Sequence, residues 1–469
     1  MAILGTLIKN GIRIRESLEQ EYASPYDLQK LELRKLLLTA ATTQFGEHYN
    51  FNEILSSFRS DHSHHFYDEF KRLVPIHDYN KIHKEWWHKN LNGEKNICWP
   101  GSVKYFALSS GTSEASSKHI PVTKDMIKAI RKTGQRQILS LSNYDLPDHL
   151  FNTGILMLGG STHLHYNGTY FEGDLSGITA SQIPFWFQRW YKPGQKIAQT
   201  QNWSDKIDEI TEKAREWNIG IIVGVPAWIE ILLEKIITRY HLNNIHDIWP
   251  DLMIYVHGGV SFEPYKKGFK KLLGKEITYI ETYLASEGFI AFQTHPGTHW
   301  MRLVLNNGIF YEFIPFDDKN FDDEGNLVEN PEVFMIDQIE ENKEYALLLS
   351  TCAGSWRYLI GDTVRLLSKR DSHIVITGRT KHFLSLCGEH MSVDNMNRAI
   401  SMVEEDCNID IKEFGVAGVT SEDRFKHHWF IGCDDPVESS RVKECLDNAL
   451  RSLNEDNALR ISTIGSSSA

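Results

Sequence analysis

Apolar runs alternate with amphipathic segments in the middle of the chain. Apolar side chains recur at helical spacing after Ser204, and a β-branched run at 219–223 follows them. A second amphipathic segment follows Pro226, and two further apolar runs occupy 252–256 and 277–280. Strands joined by helices of this length are typical of a parallel sheet that helices cover on both faces. Ligands of such sheets lie at the carboxyl ends of the strands, so we expect the chemistry directly after each strand.

The pattern differs on either side of this region. Towards the N-terminus, Ser24 and Pro25 are typical of an N-cap and the first turn of a helix, which we expect to continue to about Gly46. From about Asn306 onward, shorter strands separated by turns predict antiparallel β structure that includes a small barrel. Parallel and antiparallel strands are therefore expected in successive parts of the chain.

Helical spacing returns near the C-terminus and divides the chain into two predicted domains. A helix is predicted over 393–404, after the short segment that ends at Lys381. We place the boundary there, with a large domain over 1–380 and a small α+β domain over 381–469. The predicted fold class is mixed α/β: a large N-terminal domain with parallel sheets covered by helices and a small barrel-like part, followed by the small C-terminal domain.

Composition narrows the classes of function. The chain of 469 residues has a net charge of −12, which argues against a nucleic-acid-binding surface. No apolar run approaches the roughly 20 residues of a membrane-spanning helix. Charges interrupt the apolar positions of segment 1–20, so we expect a surface helix there and neither a signal peptide nor membrane binding. Six cysteines without a CxxC pair argue against a zinc site or a disulfide framework and favour the reducing cytoplasm.

The first segment with candidate chemistry is SSGTSEASSK, at 109–118, which follows a strand-like run. Small hydroxyl residues around Gly111 allow backbone N–H groups to converge on an anion, and Lys118 adds a positive charge suited to phosphate. The segment differs from the GxxxxGK[ST] phosphate loop, so that mechanism does not transfer. A Ser-rich surface loop is the alternative interpretation.

Three later segments place polar residues after strands. Glu287, in YLASEG, is positioned to bind Mg²⁺, or it is an acid in the first turn of a helix. Asp362, in WRYLIGD, has two oxygens that can accept both hydroxyls of a ribose, or it belongs to an ordinary hairpin turn. Arg379 and Lys381, in GRTK, lie at the predicted domain boundary, where a hinge is expected.

These four segments, in this order and with these spacings, resemble the acyl acid amido synthetases. That family comprises the auxin-responsive promoter proteins of plants and their bacterial relatives, within the adenylate-forming superfamily of firefly luciferase and acyl-CoA synthetases. Longer blocks, such as GVPAWIEILLEKI and LNNGIFYEFIPF, are similar to the bacterial branch. The similarity extends from about Leu33 to about Asn454 and so covers most of the chain.

The resemblance implies an activity, cofactors and site residues. The activity is ATP-dependent adenylation of a small-molecule carboxylic acid, followed by transfer of the acyl group to an amino acid or another amine, with ATP and Mg²⁺ as cofactors. Glu287 and Lys381 are the implied catalytic residues, and Glu287 is the implied Mg²⁺ ligand. The implied ATP-binding residues are Ser109, Ser110, Gly111, Thr112, Ser113, Gly258, Gly259, Tyr283, Ser286, Arg357, Asp362 and Arg379.

Two departures from the family leave alternatives open. Ala115 stands where family members commonly have glycine, which implies a stiffer loop. The chain also ends earlier than its relatives, so we expect a shortened C-terminal domain that lacks the family's C-terminal lysine motif. An acyl-CoA ligase, which shares the first half-reaction, and a catalytically impaired acyl-binding relative are the alternative functions.

Overall fold

The computed structural model describes residues 23–59, 63–109, 118–183, 187–381, 383–386, 389–421, 424–433 and 436–453. The α-helices are α1 (Pro25–Ala40), α2 (Gln44–His48), α3 (Phe51–Ser56), α4 (His65–Leu73), α5 (Tyr79–Ile82), α6 (His88–Leu91), α7 (Lys124–Ser140), α8 (Leu175–Ala180), α9 (Gln195–Ala198), α10 (Trp203–Lys213), α11 (Pro226–Tyr240), α12 (Lys266–Leu272), α13 (Val393–Cys407) and α14 (Ser439–Leu453). None of the helices in these ranges combines the length and apolarity that crossing a membrane requires.

Nineteen strands lie within the described ranges. They are β1 (Tyr105–Ser109), β2 (Lys118–Val122), β3 (Gly154–Leu158), β4 (His165–Tyr166), β5 (Phe171–Gly173), β6 (Tyr191–Lys192), β7 (Ile219–Gly224), β8 (Ile254–Gly258), β9 (Thr278–Ala285), β10 (Gly288–Phe292), β11 (Met301–Leu303), β12 (Ile309–Pro315), β13 (Glu344–Thr351), β14 (Tyr358–Ser368), β15 (His373–Arg379), β16 (Phe383–Leu386), β17 (Glu389–Ser392), β18 (Ile411–Ser421) and β19 (Arg424–Cys433).

The largest sheet contains eleven strands in the order β12-β13-β14-β15-β11-β10-β9-β8-β7-β3-β6. The last five of these, from β9 to β6, are parallel to one another. Val223 of β7 lies opposite Val256 of β8, and Val256 lies opposite Ile280 of β9. Helix α11 connects β7 to β8, and α12 connects β8 to β9. The parallel sheet predicted from the alternation of apolar runs is therefore confirmed.

The strand direction reverses at the turn between β9 and β10. From β10 to β12, neighbouring strands of the sheet are antiparallel. The antiparallel structure predicted after Asn306 is therefore confirmed. Among the described residues, these strands extend the large sheet and form no separate barrel, because β11 and β10 connect them to β9 through backbone pairing.

A side-chain cap sets the beginning of the first described helix. The Ser24 side chain accepts a hydrogen bond from the Asp27 backbone N–H at 3.1 Å, so the predicted N-cap of α1 is confirmed. Helix α1 ends at Ala40, earlier than the predicted end near Gly46. The Thr43 hydroxyl accepts from the Gly46 backbone N–H at 3.1 Å and thereby begins the separate helix α2.

Two hydrophobic cores hold the large sheet against its helices. One lies between the parallel strands and α10 to α12, where Leu232, Leu233 and Trp249 are fully buried. Burial of a side chain such as leucine stabilises the fold by about 1.5–3 kcal/mol. The other core joins the antiparallel strands to α1 and α7, with Leu33 and Met126 inside it. Both cores fix the strand ends that carry the polar segments.

Residues after Lys381 form a unit with its own core. The described part of this unit contains the pairs β16–β17 and β18–β19 and the packed helices α13 and α14. It contacts α12, where Lys267 Nζ donates to Ile409 O at 2.6 Å and Lys271 forms an ion pair with Asp410. The separate core supports the domain boundary placed at Lys381, which stays a prediction.

Candidate active site

Side chains from three strands of the large sheet meet at Asp362. Asp362 of β14 and Arg379 of β15 are directly opposite each other, and Arg379 Nε lies 3.0 Å from Asp362 Oδ1. Tyr283 of β9 donates its hydroxyl to Asp362 Oδ2 at 2.5 Å. Sheet order thus brings together side chains of YLASEG, WRYLIGD and GRTK, which are far apart in the sequence.

Glu287 is buried in the turn between β9 and β10, with 6% of the residue exposed. Burial raises the pKa of its carboxyl to about 7, and the nearby Asp362 carboxylate adds to the rise, whereas Arg379 and Lys118 oppose it. A carboxylate whose charge is unfavourable in the ligand-free protein gains most from a bound cation. Glu287 therefore fits a cation site.

The donor set around Glu287 suits Mg²⁺ shared with phosphate. Among the residues with described positions, no group of three or more His, Cys, Asp and Glu could hold a metal ion. Mg²⁺ commonly binds proteins through one or two carboxylates and takes its remaining ligands from water and substrate phosphates. Glu287 would supply the protein ligand in such an arrangement.

Arg379 and Lys118 act on the Glu287 carboxylate, and Lys381 in turn acts on Lys118. The pKa of Lys118 is lowered by burial and by the neighbouring Arg379 and Lys381, whereas Glu287 opposes the shift. Lys118 Nζ lies 5.3 Å from the ring centre of Tyr79, and Lys381 is exposed directly after β15. These cations favour the binding of a polyanion such as phosphate. We call the following residues the polar cluster: Lys118, Tyr283, Glu287, Asp362 and Arg379.

The predicted phosphate-binding segment begins and ends beside the polar cluster. Ser109 and Lys118 lie opposite each other at the end of the β1–β2 pair. Residues 110–113, with the other implied phosphate ligands, lie outside the described residues. Because Lys118 interacts with Glu287 and Arg379, the beginning of β2 lies next to them.

The glycine pair at 258–259 lies on the strand next to β9. Gly258 is opposite Thr282, and a Cβ at Gly258 would lie 2.4 Å from Thr282 O. Gly259 has φ +87°, a conformation that favours glycine. Close packing of β8 against β9, one residue from Tyr283, therefore requires glycine at 258. Ser286, another implied ATP ligand, is half-buried in the β9–β10 turn.

Arg357, in contrast, makes its side-chain hydrogen bonds to residues outside the polar cluster. Its Nε is 3.0 Å from Glu312 Oε1, and its Nη1 donates to Val74 O at 2.8 Å. Tyr67 donates its hydroxyl to the same Glu312 oxygen at 3.0 Å. Both side chains of the Arg357–Glu312 pair are at least 95% buried. Since these guanidinium donors are used inside the core, we do not carry Arg357 into the proposed ATP site.

No motif in the sequence pointed to the segment that begins at His77. The backbone of His77 pairs with the WRYLIGD segment, where the Leu359 N–H donates to His77 O at 2.9 Å. This pairing places Asp78 and Tyr79 near Lys118. Asp78 is the N-cap of α5, and that capping pattern is the signal the sequence contains for this segment. Its partner strand lies too far along the chain for local patterns to indicate the contact.

A groove of about 900 Å³ adjoins the polar cluster. Asp78 and Lys381 line the groove and also act on the charge of Lys118. Lys81 and Glu332 add charges of both signs to its wall. Ligand pockets for small molecules commonly have volumes of about 300–1,000 Å³. The groove therefore has room for a small polar or zwitterionic molecule next to the cluster.

The sequence matches the domain models of one protein family. Residues 14–168 and 161–277 match the GH3 family N-terminal domain, and residues 302–373 match the GH3 family central domain. A probable indole-3-acetic acid-amido synthetase, GH3.6, of Oryza sativa subsp. japonica is 31% identical over 168 residues. That alignment covers 34% of this chain and 34% of the rice protein, so the chain spans about a third of the length of this curated relative.

Solved structures show the same fold. The GH3.15 acyl acid amido synthetase superposes with a TM-score of 0.71 at 14% identity, over 96% of this chain and 87% of that one. A 2-hydroxyisobutyryl-CoA ligase in the postadenylation state, in complex with 2-HIB-AMP, superposes with a TM-score of 0.55 at 10% identity, over 90% and 82%. At these identities the structures establish the fold, and the mixed α/β class predicted from the sequence is confirmed.

Proposed function

Because this chain belongs to the GH3 family, we propose that it activates a carboxylic acid with ATP and transfers the acyl group to the amine of an amino acid. One observation carries the proposal: Lys118, Glu287, Asp362 and Arg379 come from four separate segments and meet at one end of the sheet. A site for a nucleoside triphosphate requires carboxylates that bind the ribose and a metal cation, and it requires positively charged side chains that bind the phosphates.

In the first half-reaction, Asp362 would orient ATP by accepting hydrogen bonds from the ribose hydroxyls. Its oxygens now accept from Tyr283 and pair with Arg379, so ATP binding replaces part of an existing network. Glu287 would hold Mg²⁺, which supplies positive charge to the phosphates when bound. An oxygen of the substrate carboxylate attacks the α-phosphorus, the bond from that phosphorus to the oxygen shared with the β-phosphate breaks, and pyrophosphate leaves with the electron pair. Lys118 and Arg379 would stabilise the charge that develops at these phosphates.

In the second half-reaction, the neutral amine attacks the acyl carbonyl carbon of the acyl-adenylate. AMP leaves with the electron pair of the acyl C–O bond, and the amine loses a proton to give an amide. The groove bordered by Asp78 and Lys381 offers the space and the mixed charge that suit an amino acid. Lys381 precedes the C-terminal unit, so a movement of that unit would change what faces the intermediate.

The product identifies the second half-reaction. We would incubate the chain with Mg-ATP, a panel of carboxylic acids and either amino acids or coenzyme A, and measure product masses. An amide together with AMP supports the proposal. A thioester as the sole acyl product would assign the chain to the acyl-CoA ligases instead.

Replacement of Asp362 by alanine should weaken the use of ATP. Hydrogen bonds to a charged acceptor contribute about 1.5–3 kcal/mol each. We therefore expect the KM for ATP to rise roughly tenfold to a few hundredfold, with little change in the KM for the acid. Glu344→Ala is the matched control, because Glu344 forms an ion pair with Arg365 on the same sheet, away from the cluster. An unchanged KM for ATP in Asp362→Ala would leave Asp362 with a structural role only, as the partner of Tyr283 and Arg379 in the sheet.

The Mg²⁺ requirement should depend on pH through Glu287. Because burial raises the pKa of this carboxyl to about 7, Mg²⁺ binding at lower pH must displace a proton. The charged groups that face it are Asp362, Arg379 and Lys118. We expect the Mg²⁺ concentration for half-maximal activity to rise up to about tenfold per pH unit below about pH 7. A Mg²⁺ concentration for half-maximal activity that stays constant from about pH 8 to about pH 6 would contradict this assignment. The same pH dependence in Glu287→Gln would also contradict it.

We also propose a cytoplasmic location. The structure contains no disulfide among the five described cysteines, which fits a reducing compartment. ATP as the proposed substrate fits the same compartment.

A further inference from the structure

Two thiols meet between the packed helices of the C-terminal unit. Cys407 is the last residue of α13, and Cys445 lies in the middle of α14. Their Sγ atoms are 3.1 Å apart. This separation is about 1 Å longer than a disulfide bond. A small side-chain movement therefore suffices to join the two sulfurs.

The surrounding core holds the two helices in place. Ala399 and Val403 of α13 pack with Leu446 and Leu450 of α14, and all four side chains are buried. Close packing of this kind leaves little freedom for the helices to separate. The approach of the thiols is thus a property of the folded unit and not of a mobile segment.

The two sulfurs differ in their access to solvent. Cys407 is buried, and burial together with Cys445 raises the pKa of its thiol to about 11, although the Arg441 guanidinium opposes the rise. Cys445 is partly exposed. An oxidant in solution therefore reaches Cys445 first, and Cys407 lies directly behind it.

We propose that Cys407 and Cys445 are a redox modification site that forms a reversible disulfide in response to a peroxide. The Cys445 sulfur attacks one peroxide oxygen, the O–O bond breaks, and water leaves, which gives a sulfenic acid. The Cys407 sulfur then attacks the Cys445 sulfur and displaces the hydroxyl as a second water. One peroxide and two thiols thus become one disulfide and two waters, and a dithiol reductant restores the thiols.

The position of the pair links it to the domain contact. Cys407 lies only two residues before Ile409, which accepts a hydrogen bond from Lys267, and Asp410 pairs with Lys271. A disulfide would fix the end of α13 next to this contact with the large domain. The inference does not depend on the proposed amide synthesis, since neither thiol belongs to the polar cluster.

The test is disulfide mapping in the native full-length chain. We would treat the protein with limiting hydrogen peroxide, block remaining thiols with an alkylating agent, and digest without reduction. We expect one cross-linked peptide pair that contains Cys407 and Cys445, the loss of two of the six thiols, and reversal by dithiothreitol. Cys433→Ser is the matched control and should retain the cross-link.

Two further variants separate the steps. In Cys407→Ser, we expect a sulfenic acid at Cys445 that a dimedone probe traps, and in Cys445→Ala we expect no reaction at Cys407. Circular dichroism would establish that each variant is folded. A cross-link between other cysteines, a 407–445 link that forms only after denaturation, or oxidation of Cys445 without any disulfide would overturn the proposal.

Discussion

Glu287→Gln is expected to lower acid-dependent ATP–pyrophosphate exchange by about a hundredfold to a thousandfold, while the protein stays folded. Loss of one preorganised electrostatic group at a reacting centre typically lowers the rate by that factor. Glutamine keeps the shape and the hydrogen-bonding capacity of the side chain but cannot supply the negative charge that holds Mg²⁺. The variant therefore removes the negative charge and keeps the shape of the side chain.

The same substitution is expected to stabilise the fold. Burial raises the pKa of Glu287 from 4.5 to about 7, so the folded protein holds this proton more tightly than the unfolded chain. Hence the free energy of unfolding falls as pH rises from about 4.5 to about 7. Glu287→Gln should remove that loss, so above pH 7 its free energy of unfolding should exceed that of the parent protein by up to about 3 kcal/mol.

Urea unfolding measures this gain in parallel with the exchange rate. Glu276→Gln, an exposed carboxylate just before β9, is the matched control and should change neither quantity. A Glu287→Gln protein that exchanges pyrophosphate at the normal rate would remove Glu287 from the proposed site. A large loss of stability would instead assign the residue a structural role.

Glu312→Ala should lower the free energy of unfolding by about 3–5 kcal/mol. This substitution leaves the Arg357 charge buried without its partner, which is the situation in which a broken buried ion pair is most destabilising. It also removes the acceptor of the Tyr67 hydroxyl. Urea unfolding at neutral pH measures the change. Lys71 and Val74 accept from Arg357 through backbone oxygens, so they cannot neutralise it.

A double variant separates the structural role of Arg357 from a role in ATP binding. In Glu312→Leu with Arg357→Met, apolar side chains replace the buried pair, and we expect the free energy of unfolding to recover to about that of the parent. The KM for ATP should be unchanged, because the side-chain hydrogen bonds of Arg357 go to core residues outside the polar cluster. A selective rise of that KM in a folded double variant would restore the ATP role implied by the family motif.

The case of Arg357 shows what a sequence motif can specify. The periodicity of apolar residues predicted the parallel strands, because such strands need continuous apolar runs to be buried on both faces. The same pattern predicted that chemistry would lie directly after strands, because ligands of parallel sheets lie at the carboxyl ends of the strands. The direction of one long side chain depends on its local backbone, and Arg357 has φ +43°, which no motif indicates. Asp362, five residues later, contacts Tyr283 and Arg379, and its implied role in binding ribose stays a prediction.

Local boundaries were also decided by contacts that the sequence only partly reveals. Ser204 is a typical N-cap residue and would begin helix α10 at Asp205, but the helix begins two residues earlier, at Trp203. The Asn202 side chain accepts the hydrogen bond from the Asp205 N–H at 3.1 Å, and asparagine and serine are about equally good caps. Two candidate caps only two residues apart could not be distinguished without the structure.

The larger error concerned how the second half of the chain is assembled. Short antiparallel strands after Asn306 are equally compatible with a closed barrel and with the edge of an existing sheet. The choice depends on β10 and β11, which connect β15 to β9. Likewise, the pairing of His77 with Tyr358 joins distant segments and brings Asp78 to the site. Long-range backbone pairing of this kind leaves no local pattern in the sequence.

The most direct test of the central claim is ATP–pyrophosphate exchange by the unmodified chain with a panel of carboxylic acids. If the polar cluster activates the acid, we expect exchange that requires Mg²⁺ and one class of acid and that needs no amine. This exchange should be largely lost in Glu287→Gln. The absence of exchange with every acid, in a protein that binds ATP and is folded, would contradict the account. Undiminished exchange in Glu287→Gln would show that activation takes place away from the polar cluster.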